Sequence, residues 1–476
     1  MSHISGTSRS QLLFLPEAVD DYVGPDNPVR FIEAFVENLD LSEAGFERAR
    51  SKSTGRPGYD PSDLLKLYIY GYLNRVRSSR RLEVETHRNI EVIWLMRQLK
   101  PDFKTIADFR CVNCSAFRKV FRQFVILCRE LDLFGRELLA VDGTRIKAVN
   151  NKNRNFTRRS LAKLIEQSDE RLERYLRDLE RTDEADNAVT GTAKTQSLCD
   201  KINAIKGKRD RLLDHLHTLE TSGESQISLT DPDSRAMARM TKVGVGYNIQ
   251  IAVDTKYKLI AEQQVHNQVL DYGFLAETTT EAMKHLDVEN IKVVDDKGYF
   301  QIEDITECDE RGIEAYVPKP LRGPSVAAGL ISREEFNYDT GKDVYVCPQG
   351  QELKFRRRSL VRTNTKFDYC NVKACAECKM RSKCTKGAYR TVTRYEGDAV
   401  LEQMAKRLRD NPEILTQRRN CVEHPFGTIK QTMNQGAFLM RRLQNVRGEC
   451  SLTALAYNIK RALNLVGVAG LIAAME

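Results

Sequence analysis

Residues 137–144 read Glu137-Leu138-Leu139-Ala140-Val141-Asp142-Gly143-Thr144. Four apolar residues, Leu138 to Val141, stand between a charged residue and an Asp-Gly pair. The run fits a strand buried on both faces, and by its length alone it also fits a piece of buried helix. Asp142 comes where the run ends, and Gly143 permits a tight turn or a close backbone approach. A carboxylate at the end of a core strand is held rigidly yet stays open on one side, as a metal ligand must. An Asp-Gly in that place also serves as an ordinary turn.

Two distant stretches carry the same kind of signal. Ile291 to Tyr299 reads Ile-Lys-Val-Val-Asp-Asp-Lys-Gly-Tyr, a second apolar strand running straight into Asp295 and Asp296. Between Arg419 and Lys430 lies Glu423, followed by His424-Pro425-Phe426-Gly427. On one helix Arg419, Glu423 and Lys430 share roughly one face. Pro425 either disturbs that helix or lies in its first turn. Singly, each acid is a solvated charge. Brought together, three acids supply the oxygen ligands of two hard divalent cations. Two such ions activate an attacking oxygen and stabilise a leaving one at a phosphodiester.

The Asp-Gly-Thr end, the Asp-Lys-Gly-Tyr end and the Arg-x3-Glu-x6-Lys helix together resemble the DDE transposases of bacterial insertion sequences, over about residues 56–464. The resemblance implies an α/β fold with a ribonuclease H-like catalytic core. It implies Asp142, Asp296 and Glu423 as ligands of Mg²⁺ or Mn²⁺, with Asp295 a neighbour on the other side of its strand. Lys430 and Arg419 are then expected to position phosphates or steady the glutamate. Many relatives have a tyrosine three residues before the motif arginine. This chain has Thr416 there, which removes a base-stacking group from any hairpin step. The expected activity is cleavage at transposon ends and transfer into target DNA, by a homo-oligomer assembled on DNA. Alternatives are an inactive zinc-containing DNA-binding protein and a metal-dependent nuclease without strand transfer.

Length alone suggests about two to four domains. The chain has 476 residues, 41% hydrophobic and 30% charged, enough for a sizeable core. A net charge of +9 suits a polyanionic partner without requiring one. Leu12 to Leu15 is too short for a signal peptide and no long apolar run follows, so a cytoplasmic protein with no membrane contact is expected. Twelve cysteines then point to thiols and a metal site rather than to disulfides.

Residues 1–55 read as a polar lead with one helix, capped by Asn27 and opened by Pro28. Residues 56–133 carry apolar stripes at helical spacing (Leu64, Leu65, Tyr68, Ile69 and Tyr72 in the first) and form an expected DNA-binding domain. Its basic cluster, Arg75, Arg77, Arg80, Arg81 and Arg88, grips phosphates or is a solvated face. Cys111 and Cys114 suit helix packing better than zinc. The core is expected to take 134–150, 246–340 and 400–471, with Arg145 to Val149 a separate strand and a helix over Tyr272–Leu286. Asp271 is read as that helix's cap, not as catalytic, and Asp231-Pro232-Asp233 as a turn near the site or away from it. Residues 151–245 carry two heptad-like stretches around a polar loop, Thr182 to Thr195, and suggest an antiparallel helical hairpin. Residues 341–390 form a cysteine-rich, zinc-ribbon-like insert. Cys347, Cys375, Cys378 and Cys384 are the chosen Zn²⁺ ligands and Cys370 the spare. Lys354, Arg356, Arg357, Arg358 and Arg362 make its basic strand.

Overall fold

A computed structural model describes residues 18–47, 58–185, 191–237, 243–320, 327–361 and 364–475. Arg362 and Leu12 to Leu15 lie outside the described residues. Helices α1 (Pro28–Glu37), α2 (Pro61–Leu73), α3 (Ser79–Arg88), α4 (Ile90–Leu95), α5 (Phe103–Val112) and α6 (Cys114–Glu130) come first. Each of the first two starts as its sequence dictates. Asn27 Oδ1 accepts from the Val29 amide at 3.0 Å and Asp60 Oδ1 from Ser62 at 2.8 Å, each with proline next in line. Helix α1 is not a detached lead. Its Phe31 and Phe35 rings pack on Phe124 of α6 at 6.0 and 5.5 Å, and Glu33 and Glu37 receive the buried Lys66 of α2 at 2.9 and 2.6 Å. Trp94 of α4 closes the cluster by donating to Asp20 at 2.7 Å.

Strand β1 (Leu138–Lys147) heads the central sheet, with β2 (Val245–Asp254), β3 (Ile260–His266), β4 (Ile291–Val294) and β5 (Ile313–Tyr316). The order is β3-β2-β1-β4-β5, with the short strand Arg235–Ala236 also pairing with β2. β1 lies antiparallel to β2, with Asp142 opposite Ile251 and Gly143 opposite Gln250. It lies parallel to β4, with Ala140 opposite Val294, and β4 lies parallel to β5. Leu139, Ala140 and Val141 are fully buried, as a strand covered on both faces requires. The expected break after Asp142 is absent. Residues 138–147 form one strand, because the pairing with β2 continues through Gly143 to Lys147.

Between β1 and β2 the chain makes the expected helical hairpin, α7 (Arg158–Ala185) and α8 (Gly191–Ser222), around a small core of Leu161, Leu212 and Leu219. The helices run into the expected polar loop, of which residues 186–190 lie outside the described residues. Asp231 and Asp233 anchor a helix elsewhere. Asp231 accepts from the Tyr247 hydroxyl at 2.8 Å and the Arg442 amide at 2.9 Å, and Asp233 accepts from the Leu443 amide at 2.7 Å. After β3 comes α9 (Leu275–Leu286), shorter than expected because Asp271 does not cap it. The carboxylate of Asp304, in α10 (Ile302–Glu310), accepts from the Leu275 and Ala276 amides at 3.1 and 2.9 Å instead.

A second antiparallel sheet follows: β6 (Asn337–Asp339), β7 (Val344–Val346), β8 (Glu352–Val361), β9 (Asn364–Cys370) and β10 (Thr391–Tyr395), in the order β10-β9-β8-β7-β6. Its own core is Phe336, Tyr345, Leu353, Tyr369 and Val392. Helices α11 (Asp398–Asp410), α12 (Ile414–Gly427) and α13 (Leu443–Ala473, kinked at Gly467) complete the chain. α13 packs on α1, α2, α6 and β3, so one continuous apolar core runs from Val23 to Leu471. The crossing with α6 is close. A Cβ on Gly448 would lie 2.6 Å from the Cys114 carbonyl oxygen, so only glycine fits there. No described helix is long and apolar enough to cross a membrane.

Candidate active site

Asp142 stands in the middle of β1 with its Oδ1 accepting from the Gly143 amide at 2.8 Å. Gly143 is required for closeness rather than for a turn. A Cβ there would lie 2.6 Å from Gln250 Nε2, 2.7 Å from the Tyr299 hydroxyl and 2.9 Å from Asp271 Oδ1. Those three groups form a polar floor beside the acid. Asp271 accepts from Arg145 at 2.8 Å, Asn248 at 2.8 Å and Gln250 at 2.9 Å, and Tyr299 donates to Gln250 Oε1. Asp271 therefore belongs to the site's surroundings rather than to a helix end.

Asp295 and Asp296 follow β4. Asp295 is fully buried, its Oδ1 accepts from the Asp296 amide at 2.7 Å, and its Oδ2 has no partner among the described residues. Asp296 is half-exposed and caps the turn Lys297–Tyr299 through Gly298 at 2.6 Å. The two do not turn to opposite sides. Both reach Arg418 of α12, whose Nη2 lies 3.0 Å from Asp142, 3.6 Å from Asp295 and 3.9 Å from Asp296. Burial pushes the Asp142 carboxyl up to about 6 against the pull of Arg418. Burial first, and the Asp142 charge second, raise Asp295 well above the usual carboxylate range.

Sequence reasoning missed Arg418, although its signal was present. Ile414, Cys421, Val422 and Pro425 are buried and mark the face of α12 that meets the sheet, and Arg418 sits in that stripe at helical spacing. An arginine on an apolar stripe calls for buried acids. Glu423 and Arg419 are exposed on the same helix, and among the described residues Glu423 does not share Arg418 with the aspartates. Past α12 the chain widens into a π-helical turn over Thr428–Thr432, the site of Lys430. Lys430 Nζ donates to the Thr144 hydroxyl, two residues beyond Asp142, and burial lowers its pKa.

Of the basic cluster, Arg75, Arg80 and Arg81 are exposed. Arg80 lies over the Phe103 ring at 5.0 Å. Arg77 is spent inside the molecule, donating to the Ala437 and Asn434 carbonyls at 3.0 Å each and to buried Glu449 at 3.3 Å. In the second sheet Cys347, Cys375, Cys378 and Cys384 line one cavity of about 40 Å³, while Cys370 lies on β9 near Arg356. Among the described residues no three acid, histidine or cysteine groups stand close enough to hold one metal ion in this arrangement.

Two family models match the chain: Transposase domain (DUF772) over residues 17–111, the helical cluster, and Transposase DDE domain over residues 346–463, which contains the cysteines and Glu423. These matches place the chain among the transposases, enzymes that act on DNA. It is a DDE-type transposase. Asp142, Asp295 and Asp296 lie outside both matched segments. A cryo-EM structure of piggyBac transposase, a synaptic complex with hairpin DNA, is similar over 95% of this chain and 79% of that one, at 10% identity and a TM-score of 0.34. No curated protein matches.

Proposed function

We propose that this transposase cleaves DNA at the ends of an insertion sequence and transfers the freed ends into target DNA. Asp142 and Asp296, joined by Glu423, would hold Mg²⁺ or Mn²⁺. The observation that carries this reading is the convergence of Asp142, Asp295 and Asp296 on one cation, the Arg418 guanidinium. A positive charge is at home in that place, and the unpartnered oxygen of Asp295 leaves ligand capacity there. The sheet order supports a ribonuclease H-like core, since β1 is flanked by an antiparallel hairpin on one side and two parallel strands on the other. Bound cations supply an activated oxygen nucleophile and charge stabilisation at the phosphodiester.

The chain's own residues do the rest. The two parallel strands fix Asp142 and the Asp295-Asp296 pair at adjacent positions, and Gly143 keeps the floor of Gln250, Tyr299 and Asp271 against them. Lys430, held at Thr144, stands where it can meet a phosphate oxygen beside Asp142. Exposed Arg75, Arg80 and Arg81, with the basic strand β8, offer phosphate contacts. Assembly as a homo-oligomer on DNA in a bacterial cytoplasm belongs to the same reading. Separately, we infer that Cys347, Cys375, Cys378 and Cys384 close on a structural Zn²⁺. The support is their shared cavity and the turn in which Gly350 donates to the Cys347 carbonyl at 2.8 Å. Protein purified without chelator should contain about one zinc per chain, lost in Cys375→Ser; a zinc-free protein refutes the inference.

The test of the main reading is Asp142→Asn in a cleavage and joint-molecule assay on a plasmid carrying the element's ends. Cleavage is expected to vanish while end binding persists. Wild-type cleavage rates from the variant would overturn the proposal, and nicking without joined products would make the enzyme a nuclease.

A further inference from the structure

The three aspartates leave Arg418 in an unusual position. One nitrogen serves three carboxylates through ionic contacts, the nearest with Asp142 at 3.0 Å. Those to Asp295 and Asp296 are longer, at 3.6 and 3.9 Å. The Nε of the same guanidinium is buried without a partner among the described residues, as is Asp295 Oδ2. Neither side is satisfied: three acids face one positive charge, and a planar fork built for bidentate pairing meets them through one nitrogen only. Helix α12 nevertheless turns this side chain inward among Ile414, Cys421, Val422 and Pro425. The cluster holds the guanidinium at the point on which the acids converge, which also accounts for the lack of an open metal-sized gap between them.

We propose that Arg418 is a positioning residue, a resident counter-ion that keeps Asp142, Asp295 and Asp296 together before the divalent cations arrive and that those cations displace. The proposal rests on the two-cation reading above. A divalent ion offers the acids twice the charge and several inner-sphere bonds, so the exchange favours it once a cation is present. The freed guanidinium, still on α12 beside the pocket, then faces incoming phosphate, for which its fork is suited. Metal binding is thereby coupled to a movement of α12's inner face, the helix that also carries Glu423.

The test measures Mn²⁺ binding to the full chain without DNA, by calorimetry and by the EPR signal of free Mn²⁺, in wild type, Arg418→Gln, Arg418→Lys and Asp142→Asn. Removing the competitor should tighten Mn²⁺ binding in Arg418→Gln by about tenfold, a modest share of the attraction between opposite charges at this separation. Arg418→Lys, which keeps the charge, should stay near wild type. Without metal, Arg418→Gln should melt earlier than wild type, and saturating Mn²⁺ should close the gap. Equal or weaker Mn²⁺ binding in Arg418→Gln, with an unchanged circular dichroism spectrum, overturns the counter-ion role alone. Absence of any Mn²⁺ binding that Asp142→Asn removes overturns the two-cation reading, and this proposal with it.

Discussion

Arg77→Ala separates two roles that sequence cannot. A basic cluster in a helical domain suggests a phosphate grip, yet the Arg77 guanidinium ties that domain to the last part of the chain. It donates to the Ala437 and Asn434 carbonyls at 3.0 Å each and faces fully buried Glu449 at 3.3 Å. Removing one partner of a buried pair costs about 3–5 kcal/mol, because the other charge stays buried. Glu449 keeps the amides of Leu439 and Met440, each at 3.0 Å, and the field of Arg110, so the low end applies. The loss should therefore be about 3 kcal/mol. With an m-value of about 3 kcal/mol/M, that lowers the urea midpoint by about 1 M. Trp94, the chain's single tryptophan, lies in the helical cluster and reports the transition by fluorescence. End-DNA binding, measured well below the transition, should stay close to wild type. A midpoint moved by less than about 0.2 M, together with a large loss of DNA binding, would refute the structural role and return Arg77 to the phosphate contacts.

Other consequences are open to direct measurement. Gly143→Ala places a methyl group 2.6 Å from Gln250 Nε2 and should cost about 1–3 kcal/mol and most of the cleavage activity; a variant with normal turnover would show that the floor tolerates movement. The Asp142 carboxyl titrates near 6, so below that pH protons compete with the cation for its oxygens. Cleavage should be level above about pH 7 and fall roughly tenfold per unit below about pH 6, and a profile flat down to pH 5 would contradict this. Lys66→Met should unfold within about 1 kcal/mol of wild type, since Glu37 is half-exposed, Glu33 is partly exposed, and both can rehydrate. A loss of several kcal/mol in thermal or urea melts would mean that the pair is effectively dry.

Much of the fold could be read from local patterns. The apolar run at Leu138, the Asn27-Pro28 start and the heptads on either side of residue 186 each carry their own periodicity or cap. What stayed hidden depends on partners distant in sequence. Asp142-Gly143 looks like a strand end and a turn, but pairing with Ile251 and Gln250 carries the strand straight through it. Asp271 stands where a cap belongs, yet Asp304 takes that role from another helix, and Asp271 faces the carboxylate pocket. The pocket was half legible. Asp142 and the acids after Val294 were visible as strand-end carboxylates, whereas Asp295's inward turn and Arg418 follow from how α12 lies on the sheet. Glu423 was singled out by resemblance to a family motif, and a motif says nothing of which way an exposed side chain turns.

Helix α13 gives the order of synthesis a cost. The helical cluster comes off the ribosome first, but the wall that covers α1, α2 and α6 arrives hundreds of residues later, with Gly448 pressed onto Cys114. Until then the nascent chain carries an apolar face with nothing to bury it against, a state prone to aggregation and open to chaperones. An mRNA or chain truncated before residue 443 would yield no half-working enzyme, only an unsealed domain for proteases to clear.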